Sequence, residues 1–115
     1  MSLDVDLMVI QPCSVYSGNI THNLGKMASA VILSNGLTLY QILWRPEECS
    51  YGYTKAFEIV SYLNEGLVEL IRHPEKYRKF NPENGWGSYE GLVQFTRDYH
   101  SACLDNMNAE LRISR

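Results

Sequence analysis

Residues 16–26 carry a dense group of polar side chains that could hold a ligand. The segment passes from an extended piece into the start of a helix, where unpaired backbone N–H groups attract anions. Gly18 would let a ligand approach the backbone closely. The alternative is an ordinary helix cap with a solvated first turn, and the glycine spacing matches neither a Walker loop nor a dinucleotide fingerprint. The candidate ligand-binding residues here are Asn19, Thr21, His22, Asn23 and Lys26.

A second group of chemically useful side chains follows a predicted helix, in Trp44-Arg45-Pro46-Glu47-Glu48. A tryptophan can stack on a planar ligand, and an arginine can form a bidentate contact with phosphate or carboxylate. The glutamates could act as acids or bases or bind ribose hydroxyls. The alternative interpretation places Trp44 in the core and pairs Arg45 with a neighbouring glutamate. Trp44, Arg45 and Glu47 are the candidate site residues of this segment.

The third polar segment, residues 80–90, precedes the last predicted helix. It holds an aromatic residue between two glycines, and the helix start would again supply N–H donors. The alternative is that Trp86 acts as a hydrophobic staple over the helix entrance. The candidate ligand-binding residues of this segment are Asn81, Glu83, Asn84, Trp86 and Tyr89.

The sequence offers one candidate general base, His22, because the reference pKa of histidine lies near neutrality. A base also needs a partner within hydrogen-bond reach, which spacing alone does not reveal. His100 and Cys103 lie one helical turn apart, but a zinc site takes about four ligands. We therefore predict no metal and no cofactor, and the balance of the residues leans against an enzyme.

Composition excludes several classes of function. The 115 residues fit one domain, residues 1–115, with a net charge of −3. Ten basic residues against thirteen acidic ones do not favour binding to duplex nucleic acid. No apolar run is long enough to cross a membrane or form a signal peptide. Three widely spaced cysteines are typical of reduced thiols in a cytoplasm.

Periodicity predicts the elements that would position these segments. Apolar and polar residues alternate over 3–7 and again over 109–114, so two terminal strands are expected to pair, with Asp4 and Asp6 facing Arg112. The middle predicts helices over about 21–33, 37–44 and 54–71, a turn after Pro74, and a helix from Ser88 to Cys103. The fold class is therefore α+β, with three to five helices and a small sheet that includes both terminal strands. The predicted apolar stripes are Leu24, Met27, Ala28, Val31 and Ile32 in the first helix and Phe57, Val60, Leu63, Leu67 and Ile71 in the third.

Three strings within these segments resemble those of a family of short uncharacterised proteins encoded by phages, prophages and bacteria. The strings are Asn-Ile-Thr-His-Asn-Leu-Gly-Lys-Met-Ala from Asn19, Leu-Trp-Arg-Pro-Glu-Glu from Leu43, and Phe-Asn-Pro-Glu-Asn-Gly-Trp-Gly-Ser-Tyr-Glu from Phe80. The resemblance implies a phage-type accessory protein in the cytoplasm of a bacterial host. It brings no established activity, but its strings coincide with the three polar segments rather than with the apolar faces.

The combined expectation is a binding protein that holds, and in a phage setting sequesters, a small polar or nucleotide-like molecule. One alternative is a protein-binding module that masks a host factor through exposed tryptophans. A further alternative is a small enzyme with His22 as base, Glu47 or Glu83 as acid and Arg45 as electrostatic clamp. A tight ligand sink needs more groups than one stack and two ionic contacts supply, so a homo-oligomer is compatible with the first idea.

Overall fold

The computed structural model describes residues 1–10, 13–49 and 52–115. In chain order the elements are β1 (Ser2–Ile10), β2 (Cys13–Thr21), α1 (Gly25–Ser29), α2 (Leu39–Trp44), α3 (Ala56–Arg72), α4 (Pro74–Arg78), α5 (Tyr89–Asp105) and β3 (Glu110–Ser114). This arrangement confirms the predicted α+β class. A proline cannot donate to a strand ladder, so the sequence predicts that the first strand ends or becomes an edge at Pro12, which lies outside the described residues. Within the described ranges, no helix combines the length and apolar character needed to cross a bilayer.

The sheet is built around the first strand, in the order β2-β1-β3 with antiparallel neighbours. The predicted pairing of the terminal strands is confirmed, and Asp6 lies directly opposite Arg112. Leu3, Val5 and Leu7 are fully buried on the inner face, where the alternation places them. The outer face carries the intervening aspartates, so one face of the sheet packs on the helices and the other meets water.

β2 is longer than the sequence indicated, and this changes the predicted first helix. The strand continues through Gly18 and Asn19 to Thr21, whose side chain caps a 3₁₀ turn by accepting from the Asn23 backbone N–H. Asn19 is therefore a strand residue rather than a cap. The helix that follows ends at Ser29 instead of Leu33. Ile32, predicted to lie on its apolar stripe, is 64% exposed because the chain has already turned there.

The segment between α1 and α2 forms a tight reversal. Ile32 bridges to Thr38, and Gly36 adopts a φ of +86°, a conformation that glycine takes without strain. Thr38 and Gln41 then form a reciprocal capping box that begins α2. Arg45 ends this helix, as expected for a residue that precedes a proline.

The two long helices, α3 and α5, pack antiparallel. The Tyr89 hydroxyl donates to the Leu70 carbonyl at one end, and the Phe57 N–H donates to the Met107 carbonyl at the other. The spacing of Leu92, Phe95, Tyr99 and Cys103 predicts that they share one apolar face of α5, and all four are buried.

The predicted stripe of α3 needs two corrections. Phe57 is 52% exposed and Ile71 also faces solvent. Contact with α2 and α5 buries a rotated face of the helix. The buried residues are Ala56, Ile59, Val60, Leu63, Gly66, Leu67 and Leu70.

Candidate ligand-binding groove

The first and third polar segments meet around an open groove with a volume of about 590 Å³. One wall comes from the 3₁₀ turn and α1, and the other from the loop between α4 and α5. Two segments that are distant in sequence therefore share one concave surface. The lining residues are His22, Asn23, Lys26, Lys79, Phe80, Asn81, Pro82 and Glu83.

A close backbone contact beside the groove holds the two walls together. Gly87, with a φ of +104°, packs so tightly that a Cβ there would lie 2.8 Å from Thr21 Cγ2 and 3.0 Å from Leu24 Cγ. Leu24 is buried and anchors the 3₁₀ turn in the core. A side chain at Gly87 would push the walls apart, so the groove depends on this glycine.

The groove carries an excess of positive charge. Lys26 and Lys79 both line it, and within the described part of the chain neither has a carboxylate within 4.0 Å. Glu83 is the single carboxylate in the lining. Two ammonium groups whose charges are not neutralised by an ion pair favour a negatively charged ligand.

His22 belongs to the wall that the 3₁₀ turn forms, and its ring packs against the core. Its ring meets Trp44 edge-on at a centroid distance of 6.1 Å, and Trp44 in turn stacks on Tyr40 at 5.0 Å. The Nε2 atom of His22 is buried and has no hydrogen-bond partner among the described residues. A general base must be accessible to substrate or solvent, and this nitrogen is buried.

The second polar segment does not line the groove, and the structure matches the alternative interpretation of its residues. Trp44 is 2% exposed and belongs to the core. Arg45 Nη1 lies 2.7 Å from Glu48 Oε2, and this hydrogen bond raises the pKa of the Arg45 guanidinium. Of the three polar segments, the first and third therefore share this groove and the second does not.

Glu47 is occupied by the C-terminal residue. Arg115 Nη1 donates to Glu47 Oε2 at 2.8 Å and to the Trp44 carbonyl at 2.7 Å. Burial raises the pKa of the Glu47 carboxyl, but the hydrogen bond from Arg115, a backbone hydrogen bond and the charges of Arg115 and Arg45 together outweigh it and lower the pKa. Glu47, one of the two candidate acids of the enzymatic alternative, and Arg45, its clamp, are therefore both engaged with other residues, whereas Glu83, the other candidate acid, lines the groove together with His22.

The entrance of α5 satisfies its own donors. Asn81 Oδ1 accepts from the Tyr89 N–H at 2.8 Å, and Ser88 Oγ accepts from the Gly91 N–H at 3.1 Å. The predicted use of these N–H groups as an anion cradle is thus replaced by internal capping. The Tyr89 ring is buried beneath the Arg78 guanidinium, 4.9 Å from its centroid, so Tyr89 is a packing residue rather than a groove residue.

The tip of the third segment points into solvent. Asn84 Oδ1 accepts from the Trp86 N–H at 2.9 Å, and Trp86 is 71% exposed. This exposure does not fit the alternative of a buried hydrophobic staple. Neither Asn84 nor Trp86 lines the groove.

Asn19 lies apart from all of these residues, on the outer face of the sheet. Its Nδ2 donates to Asp4 Oδ1 at 2.6 Å and to Ser2 Oγ at 2.9 Å. Thr21 is the last strand residue before the groove and contributes its cap and its contact with Gly87 rather than a lining surface.

Three lining residues were not among the predicted site residues, namely Lys79, Phe80 and Pro82. Lys79 ends the most basic stretch of the sequence and directly precedes the third polar segment, and this adjacency was the available signal. Phe80 is half-buried and gives the groove a flat aromatic wall. Within the described ranges, no three His, Cys, Asp or Glu side chains are grouped as metal ligands would be.

Comparison of the chain with protein-family models, with curated proteins and with solved structures finds no match.

Proposed function

We propose that the protein is a non-catalytic binding protein for a small anionic, nucleotide-like ligand, which it holds in the groove between residues 22–26 and 79–83. The observation that carries the proposal is the pairing of Lys26 and Lys79 on one concave surface without a carboxylate partner among the described residues. Such a pair favours a phosphate or another compact anion between them.

The remaining lining suits the rest of such a ligand. The half-buried ring of Phe80 offers a face on which a base could stack. Asn81 uses its Oδ1 on the Tyr89 N–H, which leaves its Nδ2 donors for a ligand. Glu83 can accept hydrogen bonds from ribose hydroxyls or an exocyclic amine.

The magnitudes agree with a modest affinity. Two charge-assisted hydrogen bonds contribute about 1.5–3 kcal/mol each, and one aromatic stack contributes about 1–3 kcal/mol. Together they reach at most about 9 kcal/mol, whereas micromolar binding needs roughly 8 kcal/mol. We therefore expect micromolar or weaker binding by one chain, and tighter sequestration only if a second subunit adds groups.

The surroundings of His22 support binding without turnover. Its Nε2 atom is buried, and Arg45 and Glu47 are engaged in ion pairs with Glu48 and Arg115. The idea that a phage-type accessory protein uses this groove to sequester a signal in the host cytoplasm rests on the sequence resemblance alone.

The test combines native mass spectrometry of protein from an infected-cell lysate with calorimetric titration of ADP, adenosine and inorganic phosphate. We expect ADP to bind more tightly than adenosine, and the double variant Lys26→Ala/Lys79→Ala to lose at least 30-fold in affinity. Lys76→Ala is the matched control, because Lys76 is also exposed but pairs with Glu69 and lies outside the groove. If no phosphate-bearing molecule binds, or if both variants bind equally well, the proposal is wrong.

A second candidate function, a protein-binding module that masks a host factor, is favoured by Trp86. This side chain is 71% exposed between two glycines with positive φ, Gly85 and Gly87. Exposed tryptophans are common anchors of protein interfaces. Trp86→Ala should abolish capture of a host protein while leaving ADP binding unchanged if this second function is the correct one.

A further inference from the structure

The outer edge of β2 differs from the outer edge of β3. β3 is short and its edge is covered, because the Leu111 N–H donates to the Thr54 carbonyl and Lys55 bridges to Glu110. β2 has nine residues and none of them is charged. Sheet proteins usually protect an exposed edge with charges, prolines or a covering segment. β2 shows no such protection among its described residues.

The phase of the ladder shows which backbone groups of β2 point outward. The His22 N–H donates to the Met1 carbonyl, so the hydrogen-bonded pairs of the β1–β2 ladder include Leu3 with Ile20 and Val5 with Gly18. The residues between them, Ser17 and Asn19, direct their N–H and C=O groups away from β1. In the described part of the chain, no hydrogen-bond partner meets these outward groups.

Two grooves flank the same three residues of this edge, 17–19. The outer groove, of about 410 Å³, is lined further by Asp4, Asp6, Arg112 and Ser114. The inner groove, of about 420 Å³, lies between β2 and α5 and is lined further by Tyr16, Gly91, Gln94, Phe95 and Asp98. Because side chains alternate across a strand, a strand added at this edge would place its residues in the two grooves by turns.

We propose that the free edge of β2 binds an extended segment of a partner polypeptide as an additional antiparallel or parallel strand. The lining of the two grooves holds three carboxylates and one guanidinium, so it fits a segment with Lys or Arg at alternate positions. The positions between them would be apolar. They would lie in the inner groove, against the ring of Tyr16, which covers Gly18, and beside Phe95.

A second copy of this chain fits the edge less well than a single extended segment. An antiparallel pair of β2 strands would bring the copy's α5 to the same side of the sheet, where α5 already forms the wall of the inner groove. β2 also carries no cation to offer to Asp4, Asp6 or Asp98. These two features select a partner strand of different sequence.

The experiment uses a defined probe, the peptide acetyl-Lys-Val-Lys-Val-Lys-Val-amide, at 150 mM salt. We expect saturable binding, at least ten-fold weaker binding of the corresponding Glu-Val peptide, and at least five-fold weaker binding to Asp4→Asn, which changes the outer groove, than to the matched control Asp105→Asn. Two versions of the probe, N-methylated at alternate amides, separate strand addition from simple charge attraction. One version should lose binding at least ten-fold while the other changes less than two-fold, because only one set of amides faces β2.

Amide hydrogen exchange gives an internal control. The N–H groups of Ser17 and Asn19 should become protected when the peptide binds, whereas that of Gly18, already bonded to β1, should change little. The proposal is overturned if the Lys-Val peptide does not bind, if both methylated versions bind alike, or if Ser17 and Asn19 exchange unchanged. It is also overturned if sedimentation shows a dimer whose formation protects these same amides.

Discussion

Replacing Gly66 with alanine should destabilise the protein, although the same change usually stabilises a helix. Gly66 lies within α3 at its contact with α2. A Cβ at this position would lie 2.8 Å from Leu39 Cδ1, 3.2 Å from Leu39 Cδ2 and 3.3 Å from Leu39 Cγ. Leu39 is fully buried, so it has little room to withdraw.

The expected change in the free energy of unfolding is the difference between two stabilising contributions and one destabilising contribution. Helix propensity favours alanine by about 1 kcal/mol, and burial of one methyl group adds roughly 0.8 kcal/mol. Overpacking a core costs about 1–3 kcal/mol. We expect the upper part of that range, because three atoms of one buried side chain must move. The net loss in the free energy of unfolding should then be about 1 kcal/mol.

Gly91 is the matched control for this change. It occupies the first turn of α5, the other long helix, and is exposed, and the atom nearest to its added Cβ is Ser88 Oγ at 3.4 Å. Gly91→Ala should therefore gain about 0.5–1 kcal/mol from helix propensity. The two substitutions are chemically identical, so their opposite signs would report the contact and not the residue type.

Urea denaturation followed by far-ultraviolet circular dichroism measures both effects. With a slope of about 1–3 kcal/mol per molar urea, a loss of 1 kcal/mol moves the midpoint by several tenths of a molar. A double-mutant cycle tests the cause, because Gly66→Ala should become stabilising in a Leu39→Ala background. The reasoning is refuted if Gly66→Ala stabilises the otherwise unchanged protein, or if the effects of Gly66→Ala and Leu39→Ala on the free energy of unfolding are additive.

Three further predictions concern the groove, the acid limb of stability and the thiols. Gly87→Ala should lower the free energy of unfolding, measured by urea denaturation, by about 2 kcal/mol or more, because its Cβ would be strained at positive φ and would also clash with Thr21 and Leu24. Gly85→Ala has the strain but no atom within 4 Å of its Cβ, so it should cost only about 1–2 kcal/mol. A hydrogen bond from a buried tyrosine lowers the pKa of Glu69. The ionised Glu69 carboxylate therefore stabilises the fold above the pKa of unfolded glutamate, about 4.3, and this stabilisation is lost as the pH falls below it. In an acid titration of the free energy of unfolding, Glu69→Gln should therefore lose less stability below about pH 4.3 than the unchanged protein does. Burial raises the pKa of the Cys49 thiol and raises that of Cys103 to about 12. Because the thiolate is the reactive form, mass spectrometry should find at most one iodoacetamide adduct on native protein at pH 8 and three adducts on protein in denaturant.

The sequence predicted the sheet well because strand periodicity is a local signal. Leu3, Val5 and Leu7 alternate with aspartates, and the same pattern near the C-terminus implied its partner. The buried faces of the helices were harder to predict, because tertiary contacts decide which face of a helix is buried. Phe57 and Ile71 have the spacing of a buried stripe, yet the position of α2 against Gly66 rotates the buried face away from them.

The site was predictable as two segments but not as a set of side chains. Composition located the polar stretches, and the Ser88 cap confirmed where the last helix begins. Sequence could not reveal that Arg115 would reach Glu47, since that contact depends on how the last strand leads the chain back to α2. The sequence also gave no reason to assign Asn19 to the sheet and His22, three residues later, to the groove. The boundary between the two is the end of β2 at Thr21, whose side chain caps the 3₁₀ turn.

The central position of β1 has a consequence for how the chain acquires its structure. β1 has one neighbour, β2, that follows it directly in the sequence, and another, β3, that is separated from it by the helices α1 to α5, where Asp4 meets Ser114. The hairpin can form early, but closing the long loop to the last strand carries a large entropic cost, and contacts of this separation slow folding. Until β3 has been synthesised and has paired, the edge of β1 opposite β2 is open, and chaperones can bind there.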